Sequence, residues 1–313
     1  MISYILRRLL ATVPVLFTVA VMVFLMLRLT PGDPAAIIAG DNATTQQIID
    51  IRTKLGLEQP ILQQFFIWIT SIVRGDLGES FFFRKTVWEL ISDRLEPTFS
   101  LALLTMIIAV VVAIPLGVLA AYKQGTWIDR IVMGFSVIGF SVPVFVIGYL
   151  MIYIFAIKLG WFPVQGYQRF ANGIGGFLQS LILPAFTLSV IYIALIARMT
   201  RTSVLEVLNE DYIRTARAKG QTEIKVLFQH ALKNAAVPIA TVVGIGVALL
   251  IGGVVVTESV YSIPGLGRLT VDAVLARDFP VIQAIILAFS LVYVLINLLV
   301  DLSYTIFDPR IRY

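Results

Sequence analysis

The chain has 313 residues, of which 58% are apolar and 14% charged, with a mean hydropathy of +0.92 and a formal net charge of +5. Soluble domains contain about 45–50% apolar and about 25% charged residues, so this composition excludes an ordinary water-soluble fold and indicates a membrane protein. The abundance of aliphatic and aromatic residues excludes intrinsic disorder, and the absence of cysteine together with a single histidine predicts no metal site.

Six apolar stretches are long enough to cross the roughly 30 Å hydrocarbon core of a bilayer as helices. None of the six contains Asp, Glu, Lys, Arg or His. Pro115, Pro143 and Pro184 lie inside spans, where each is expected to bend its helix. The sequence therefore predicts an all-α polytopic membrane protein. The predicted spans are Leu9–Leu27, Thr98–Tyr122, Ile131–Ile157, Phe177–Ala197, Val237–Val256 and Pro280–Val300.

The distribution of Lys and Arg predicts that both termini are cytoplasmic. With that orientation, the inner segments hold thirteen basic residues, whereas the short outer loops 158–176 and 257–279 hold only four. The long outer segment is left out of the comparison, because long loops translocate largely regardless of their charge. The basic character of the chain thus belongs to its inner face, where anionic lipid headgroups explain it without any nucleic acid.

The outer segment 30–97 is too long for a turn and is predicted to form a compact external (periplasmic) helical subdomain. Thr44–Leu55 and Ile61–Val73 have amphipathic patterns, and Val87–Arg94 is predicted to be a short third helix. A surface cap that contacts no ligand is an equally weighted alternative for this segment. The predicted organisation is an N-terminal transmembrane helix at 1–29, the external subdomain at 30–97, and a core with five spans at 98–313.

The inner segment 198–236 contains a short polar helix that ends in a glycine. A helix is predicted over Asp211–Lys219, Gly220 is expected to adopt the positive φ that stops it, and Thr222 is expected to cap the next helix. Small residues and exposed cations near the end of a helix suit the docking of a partner surface. From residue types alone, docking and simple contact with lipid headgroups remain equally open.

Two further patterns have both a structural and a functional interpretation. Small residues recur every fourth position along the fifth span, which predicts close packing against another helix, within this chain or on a second subunit. Glu258 and the turn Ile263–Arg268 follow that span on the outer side and could form a re-entrant plug or an ordinary turn. The small residues are Ala236, Ala240, Gly244, Ala248 and Gly252.

Several mechanisms leave sequence signatures that this chain lacks. It has no G-x-x-x-x-G-K-[ST] phosphate loop, no TVGYG filter and no ionisable residue within a predicted span. It also shows no pattern of nucleophile, base and orienting residue, which predicts that it is not an enzyme. A transporter with neither an internal motor nor an internal proton relay needs an external motor.

Eight short stretches, distributed in order along the chain, carry a family resemblance. They are Met1–Arg8, Pro31–Pro34, Leu55–Pro60, Gly75–Ser80, Asp211–Gly220, His230–Ala235, Pro264–Arg268 and Asp301–Arg312. Through these stretches the sequence resembles B-type permeases of the dipeptide, oligopeptide, nickel and glutathione branch of ATP-binding-cassette (ABC) importers. The resemblance covers nearly the whole chain and implies a type I importer permease fold with a large periplasmic insertion between the first two spans.

The resemblance also implies partners and site residues. The stretch Arg214–Gly220 occupies the cytoplasmic coupling motif E-A-A-x-x-x-G, in which Ala216 and Gly220 match, while Arg214 and Thr215 replace the Glu and the first Ala. The implied coupling residues are Asp211, Arg214, Thr215, Ala216, Arg217, Ala218, Lys219 and Gly220, and the candidate external gate comprises Glu258, Pro264, Gly265, Gly267 and Arg268.

The implied function is ATP-driven import of dipeptides or oligopeptides through the inner membrane. A solute-binding protein would deliver the substrate, a second (C-type) permease subunit would complete the pathway, and two ABC ATPase subunits would bind ATP and Mg, so that no cofactor belongs to this chain. Nickel or glutathione import by the same machinery is the main alternative. A proton-coupled peptide carrier and a structural membrane anchor are more remote ones.

Overall fold

The computed structural model describes residues 2–29, 33–39, 44–54, 56–80 and 82–307. The matched residues Met1, Pro31, Gly32 and Leu55, together with the C-terminal residues 308–313, lie outside these ranges. Within them the chain is helical, and the single β feature is an isolated bridge between Glu79 and Thr86. The helices are α1 Ile2–Arg28, α2 Pro34–Ala39, α3 Thr45–Lys54, α4 Ile61–Val73, α5 Val87–Tyr122, α6 Trp127–Ser141, α7 Val144–Met151, α8 Ile174–Leu208, α9 Asp211–Ala218, α10 Glu223–Lys225, α11 Ala236–Val260, α12 Leu266–Leu275 and α13 Phe279–Phe307.

Two helices continue as wider π-helical turns, and one loop contains a short 3-10 helix. α7 leads directly into a π-helix over Ile152–Lys158, and α10 leads into another over Val226–Leu232. The 3-10 helix covers Phe170–Asn172, just before α8.

The helices confirm the prediction of an all-α protein with about six membrane spans. Within the described residues, five helices are long and apolar enough to cross a bilayer: most of α1, then α5, α8, α11 and most of α13. α6 and the segment Val144–Lys158, which is α7 with its π-helical continuation, meet the same criterion only as a pair, and their axes differ in direction by 104°. This pair is the sixth, broken candidate span. Pro115 and Pro184 lie inside continuous helices, so of the three prolines that were expected to bend a span only Pro143 interrupts its helix.

The break in the third span follows from the chemistry of Pro143. Proline has no N–H to donate and disfavours the helical conformation of the residue before it. Val142 is accordingly extended, with φ −87° and ψ 125°, and α7 starts immediately after the proline. The sequence predicted a bend at this position, but not its size.

α5 is longer than predicted. The prediction of a short helix ending near Arg94 is wrong, since one helix of 36 residues runs from Val87 through Pro97 to Tyr122. A proline inside a helix costs about 3 kcal/mol, but its φ is compatible with the helix. Here buried side chains anchor the helix on both sides of Pro97, with Ile91 before it and Leu101 after it.

The first of two compact units comprises Met1–Glu96 and Gly265–Leu295. Its apolar core is formed by the first turns of α5 together with α12 and the beginning of α13. The two amphipathic helices predicted in the outer segment are present as α3 and α4, separated by Gly56, whose φ is +63°. Ring contacts join α4 to α1, including Phe65 against Phe24 at 5.1 Å between centroids.

The first unit also contains a buried carboxylate. Asp278, between α12 and α13, accepts a short hydrogen bond from the hydroxyl of Ser80. Burial raises the pKa of Asp278, and the hydrogen bond from Ser80 partly opposes that increase. This contact ties the outer segment to the start of the last span.

The second unit comprises Pro97–Pro264 and Ile296–Tyr313, and α8 lies at its centre. Two glycines allow neighbouring helices to approach α8 closely. A Cβ at Gly117 of α5 would lie 2.6 Å from the carbonyl oxygen of Ala197, and one at Gly139 of α6 would lie 3.2 Å from Ala194. The central helix is therefore held between α5 and α6 by contacts that admit no larger side chain without a shift.

Candidate functional site

The predicted polar helix of the inner segment is present as α9, Asp211–Ala218. It follows α8 after a two-residue break, with Glu210 in extended conformation at its N-cap. Asp211 lies in its first turn and Arg217 in its last turn, so both charges favour the helix dipole.

One face of α9 is anchored on the chain itself. Ile213 is completely buried and Ala216 nearly so, and both pack against Val226. Val207 and Leu208, at the end of α8, complete this small apolar cluster. α9 is thus fixed directly to the end of the central helix.

The opposite face of α9 is exposed and basic. Arg214, Arg217, Ala218, Lys219 and Gly220 are all exposed. Ala216 and Ala218, the small residues that favoured docking of a partner, therefore differ in their surroundings. Ala216 faces the chain's own core, whereas Ala218 lies on the exposed face and presents only a small side chain there.

The end of α9 is a Schellman motif built on Gly220. Gly220 has a φ of +77°, as predicted, and its N–H donates to the carbonyl of Arg217 at 2.9 Å. The N–H of Gln221 donates to the carbonyl of Ala216 at 3.3 Å. These two hydrogen bonds close the last turn and define the shape of the exposed tip.

Polar contacts on both sides of the tip hold it in place. The guanidinium of Arg217 donates to both carboxylate oxygens of Glu223, at 2.9 and 3.2 Å, and so bridges the turn. Arg214 and Asp211 form a looser and more exposed pair at 3.3 Å. The coupling residues predicted from the sequence are therefore brought together on one tip, apart from Ala216, which supports it from beneath.

His230 contributes to this tip in a way that the sequence did not indicate. Its Nε2 lies 2.8 Å from Oε1 of Gln221, the residue after Gly220. Thr222 occupies the predicted N-cap position, but its side chain makes no capping hydrogen bond. On α9, burial, and next the negative charge of Glu210, raise the pKa of Tyr212. Within the described ranges, no group of three or more His, Asp or Glu side chains could hold a metal ion.

The residues of the candidate external gate fall into two separate settings. In the second unit, Glu258 is fully buried near the end of α11 and accepts a hydrogen bond from the Thr98 hydroxyl at 2.6 Å. The hydroxyl of Tyr261 lies 2.7 Å from that of Thr187 and 3.3 Å from the carbonyl oxygen of Gly148. These contacts make the end of α11 an internal polar cluster.

The remaining gate residues lie at and after the boundary between the units. Pro264 is exposed, and Gly265 is the extended N-cap of α12 with φ −103°. Gly267 is buried in the first turn of α12, and Arg268 is half-buried beside it. The turn that was predicted over Ile263–Arg268 is therefore shorter than expected and ends at Gly265, because the ten-residue helix α12 begins at Leu266.

The small-residue stripe of α11 packs within the chain at Gly244. A Cβ there would lie 2.2 Å from a methyl group of Val300, so the close approach requires glycine. Ala236 and Ala240 line an apolar cavity of about 510 Å³ beside that contact. The contact at Gly244 agrees with the predicted packing inside the chain.

Matches to known protein families cover nearly the whole chain. A family described as "Binding-protein-dependent transport system inner membrane component" matches residues 113–313, and the N-terminal part of the same kind of membrane component matches residues 1–102. The chain belongs to this family. It is therefore a multi-pass inner membrane permease component, and the family resemblance deduced from the eight stretches is confirmed.

Individual permeases of the family resemble the chain from end to end. "Probable peptide ABC transporter permease protein y4tP" of Sinorhizobium fredii is 56% identical over 310 residues, which are 99% of each chain. The glutathione transport system permease protein of Escherichia coli K12 is 45% identical over 313 residues, which are 100% of each chain.

A solved structure supports the fold. A chain of the MetNI methionine ABC transporter, in an inward-facing conformation, superposes with a TM-score of 0.59 at 20% identity. The match covers 71% of this permease and 97% of the other chain. The predicted ABC importer permease fold is confirmed at this level.

Proposed function

We propose that this permease is the membrane-spanning subunit of an ATP-driven importer of short peptides. Relatives that are full-length matches carry the names of peptide and glutathione permeases. The observation that carries the mechanism is α9, a short helix whose buried face is fixed to α8 and whose basic tip is exposed. A tip of this kind is suited to receive force from a partner and to pass it to the helix on which it stands.

The motor in this proposal is a pair of separate ABC ATPase subunits. The tip formed by Arg214, Arg217, Ala218, Lys219 and Gly220 enters a cleft of one ATPase subunit, and closure of the ATPase pair on ATP displaces α9. ATP and Mg are bound by those subunits, so this chain supplies movement and a path but no catalytic step. A second permease subunit of the C type completes the path, and both termini of this chain are cytoplasmic.

On the outer side, an external solute-binding protein delivers the substrate to the outer segment and the candidate gate. Glu258 and Tyr261 stabilise the end of α11 from within. Pro264 and Gly265 connect this end to α12. We propose that movement of this connection opens and closes the outer end of the path, with Gly267 and Arg268 moving as part of α12.

Short peptides are the substrate class that the relatives favour. Glutathione, itself a tripeptide derivative, is the second candidate, because a glutathione permease matches the full length of this chain. Both substrates present amide groups and charged ends, which polar groups and backbone can accommodate without fixed charge in the spans.

Reconstitution into vesicles tests the proposal. We expect the chain, assembled with its second permease, ATPase and binding-protein partners, to accumulate a labelled dipeptide or glutathione only when ATP is supplied on the ATPase side. Vanadate is expected to stop uptake, whereas a proton uncoupler at constant ATP is expected to leave it unchanged. Accumulation of peptide against a gradient by the isolated chain would overturn the proposal and favour a proton-coupled carrier.

A further inference from the structure

An ion pair between a buried carboxylate and a half-buried guanidinium links α6 to the central helix of the second unit. The guanidinium of Arg201 on α8 donates to both oxygens of Asp129, from Nε to Oδ1 at 2.5 Å and from Nη2 to Oδ2 at 2.7 Å. Asp129 is 5% exposed and lies in the first turn of α6. Its Oδ2 also accepts the backbone N–H of Gly125 at 3.0 Å, in the turn that leads into α6.

This arrangement is stiffer than an ordinary surface ion pair. A two-pronged guanidinium–carboxylate contact defines an orientation as well as a distance, because the two groups are planar. The exposed Arg214–Asp211 pair of α9 makes a single contact at 3.3 Å. Asp129 therefore holds α8, the start of α6 and the preceding turn in one geometry.

The pair lies between α9 and the broken third span. Arg201 is seven residues before Leu208, so it lies about 10 Å along α8 from the apolar cluster on which α9 rests. Asp129 is at the opposite end of α6 from the break at Pro143. A displacement of α9 reaches the end of α8 first, then Arg201, and through Asp129 the beginning of α6.

A second contact keeps α6 and α8 aligned farther along. Gly139 of α6 lies against Val190 and Ala194 of α8, at distances that leave no room for a larger side chain without a shift. Asp129 and Gly139 are ten residues apart, which is about 15 Å along a helix. Two contacts at that separation hold the two helices in one relative orientation.

We infer that Asp129 and Arg201 are positioning residues, which make α8 and the entry of α6 move as one body when α9 is displaced. The pair thereby carries the movement of the docking tip to the broken span α6–α7. The part of this inference that concerns ATP rests on the proposed function. The mechanical part concerns only the distances between helices.

Distance measurements between spin labels test the mechanical part. The chain has no cysteine, so cysteines introduced at Gln124 and Glu210 carry the only labels on it. Both positions are exposed, one in the turn before α6 and the other at the N-cap of α9. In the assembled transporter we expect one narrow distance distribution in the unmodified background and a distribution at least about twice as wide in Asp129→Asn.

Two further variants keep this test decisive. Arg201→Lys retains the charge but loses the two-pronged contact, so we expect an intermediate width; it also replaces Asp129→Asn if that variant does not assemble. Arg130→Gln removes a charge from the next, exposed position of the same helix and is expected to leave the distribution unchanged. The inference would be overturned if the distance distribution in Asp129→Asn or in Arg201→Lys were as narrow as in the unmodified background.

Transport per ATP tests the functional part. We expect Asp129→Asn to retain ATP hydrolysis but to lose about tenfold in peptide taken up per ATP, within the usual range of coupling between distant sites. In the double variant Asp129→Cys with Arg201→Cys, a short bifunctional thiol cross-linker is expected to restore much of the loss. Unchanged uptake per ATP in Asp129→Asn, or no recovery after cross-linking, would contradict the inference. Failure of the unmodified transporter to couple ATP to uptake would instead count against the proposed function.

Discussion

The tip of α9 and the end of α11 use polar residues in opposite ways. At α9, Arg214 and Lys219 point away from the chain, and the helix is held by the apolar contacts of Ile213 and Ala216. At the end of α11, Glu258 and Tyr261 are buried and form hydrogen bonds within the chain. Charge changes at α9 should therefore affect recognition with little effect on folding, whereas changes at the end of α11 should affect folding first.

The strongest test of this difference between the two regions is a change to the backbone at the tip of α9. Gly220→Pro removes the N–H that donates to Arg217 and forces φ to about −65° where the turn needs +77°. We expect peptide uptake to be abolished while the transporter remains inserted in the membrane. Uptake and ATP hydrolysis in reconstituted vesicles are the measurements.

Gly220→Asn is the matched control for the proline variant. Asparagine tolerates positive φ better than most residues and keeps the N–H, so uptake is expected to remain within about threefold of the unmodified transporter. Full uptake in Gly220→Pro would show that the conformation of the tip is not required for transport.

Reversing the charge of the tip should have the next largest effect. The double variant Arg217→Glu with Lys219→Glu is expected to lower uptake per ATP by about tenfold, a coupling effect of usual size, with only a small loss of thermal stability, because the Arg217–Glu223 pair that it breaks is partly exposed. The exposed Arg74, in the first unit, offers a control for a charge reversal elsewhere. A large loss of thermal stability, or normal stimulation of the ATPase, would contradict the assignment of these cations to a partner surface.

Shortening the buried anchor of α9 should loosen the tip without touching its charges. Ile213→Ala removes most of a fully buried side chain, and such changes cost about 2–5 kcal/mol in a closed core. We expect the lower end of that range, about 2 kcal/mol, in the local opening of α9, measured by hydrogen exchange of its amides. Ile224→Ala, at an exposed position, should leave their exchange unchanged.

The smallest predicted effect lies at the end of α11. Thr98→Val removes the hydroxyl that donates to the buried carboxylate of Glu258, and an unmet buried acceptor costs about 1–3 kcal/mol. We expect about 1 kcal/mol, because other groups partly compensate, with a lower midpoint of thermal unfolding in detergent. Ser259→Ala, an exposed hydroxyl that bonds within its own helix, should unfold at the unmodified temperature. Equal midpoints for the two variants would contradict the internal role of Glu258.

The parts of this fold that follow from local sequence were predictable. Span positions follow from runs of apolar residues, and the turn at Gly220 follows from a glycine after a polar helix. The continuity of α5 through Pro97 was missed, because the proline's cost is offset by packing on both sides that local sequence does not display. Asp129–Arg201 and His230–Gln221 were missed for a similar reason: the sequence does not say that residues 72 or nine positions apart will face each other.

The central claim is that the exposed tip of α9 contacts a separate ATPase. In this cysteine-free chain, Ala218→Cys places a single thiol for a photoactivated cross-linker on the tip. In the membrane-embedded transporter, we predict a covalent product with a subunit that carries a G-x-x-x-x-G-K-[ST] phosphate loop, and no such product from Tyr293→Cys on α13. Failure of Ala218→Cys to capture that subunit in a transporter that imports peptide would contradict the claim.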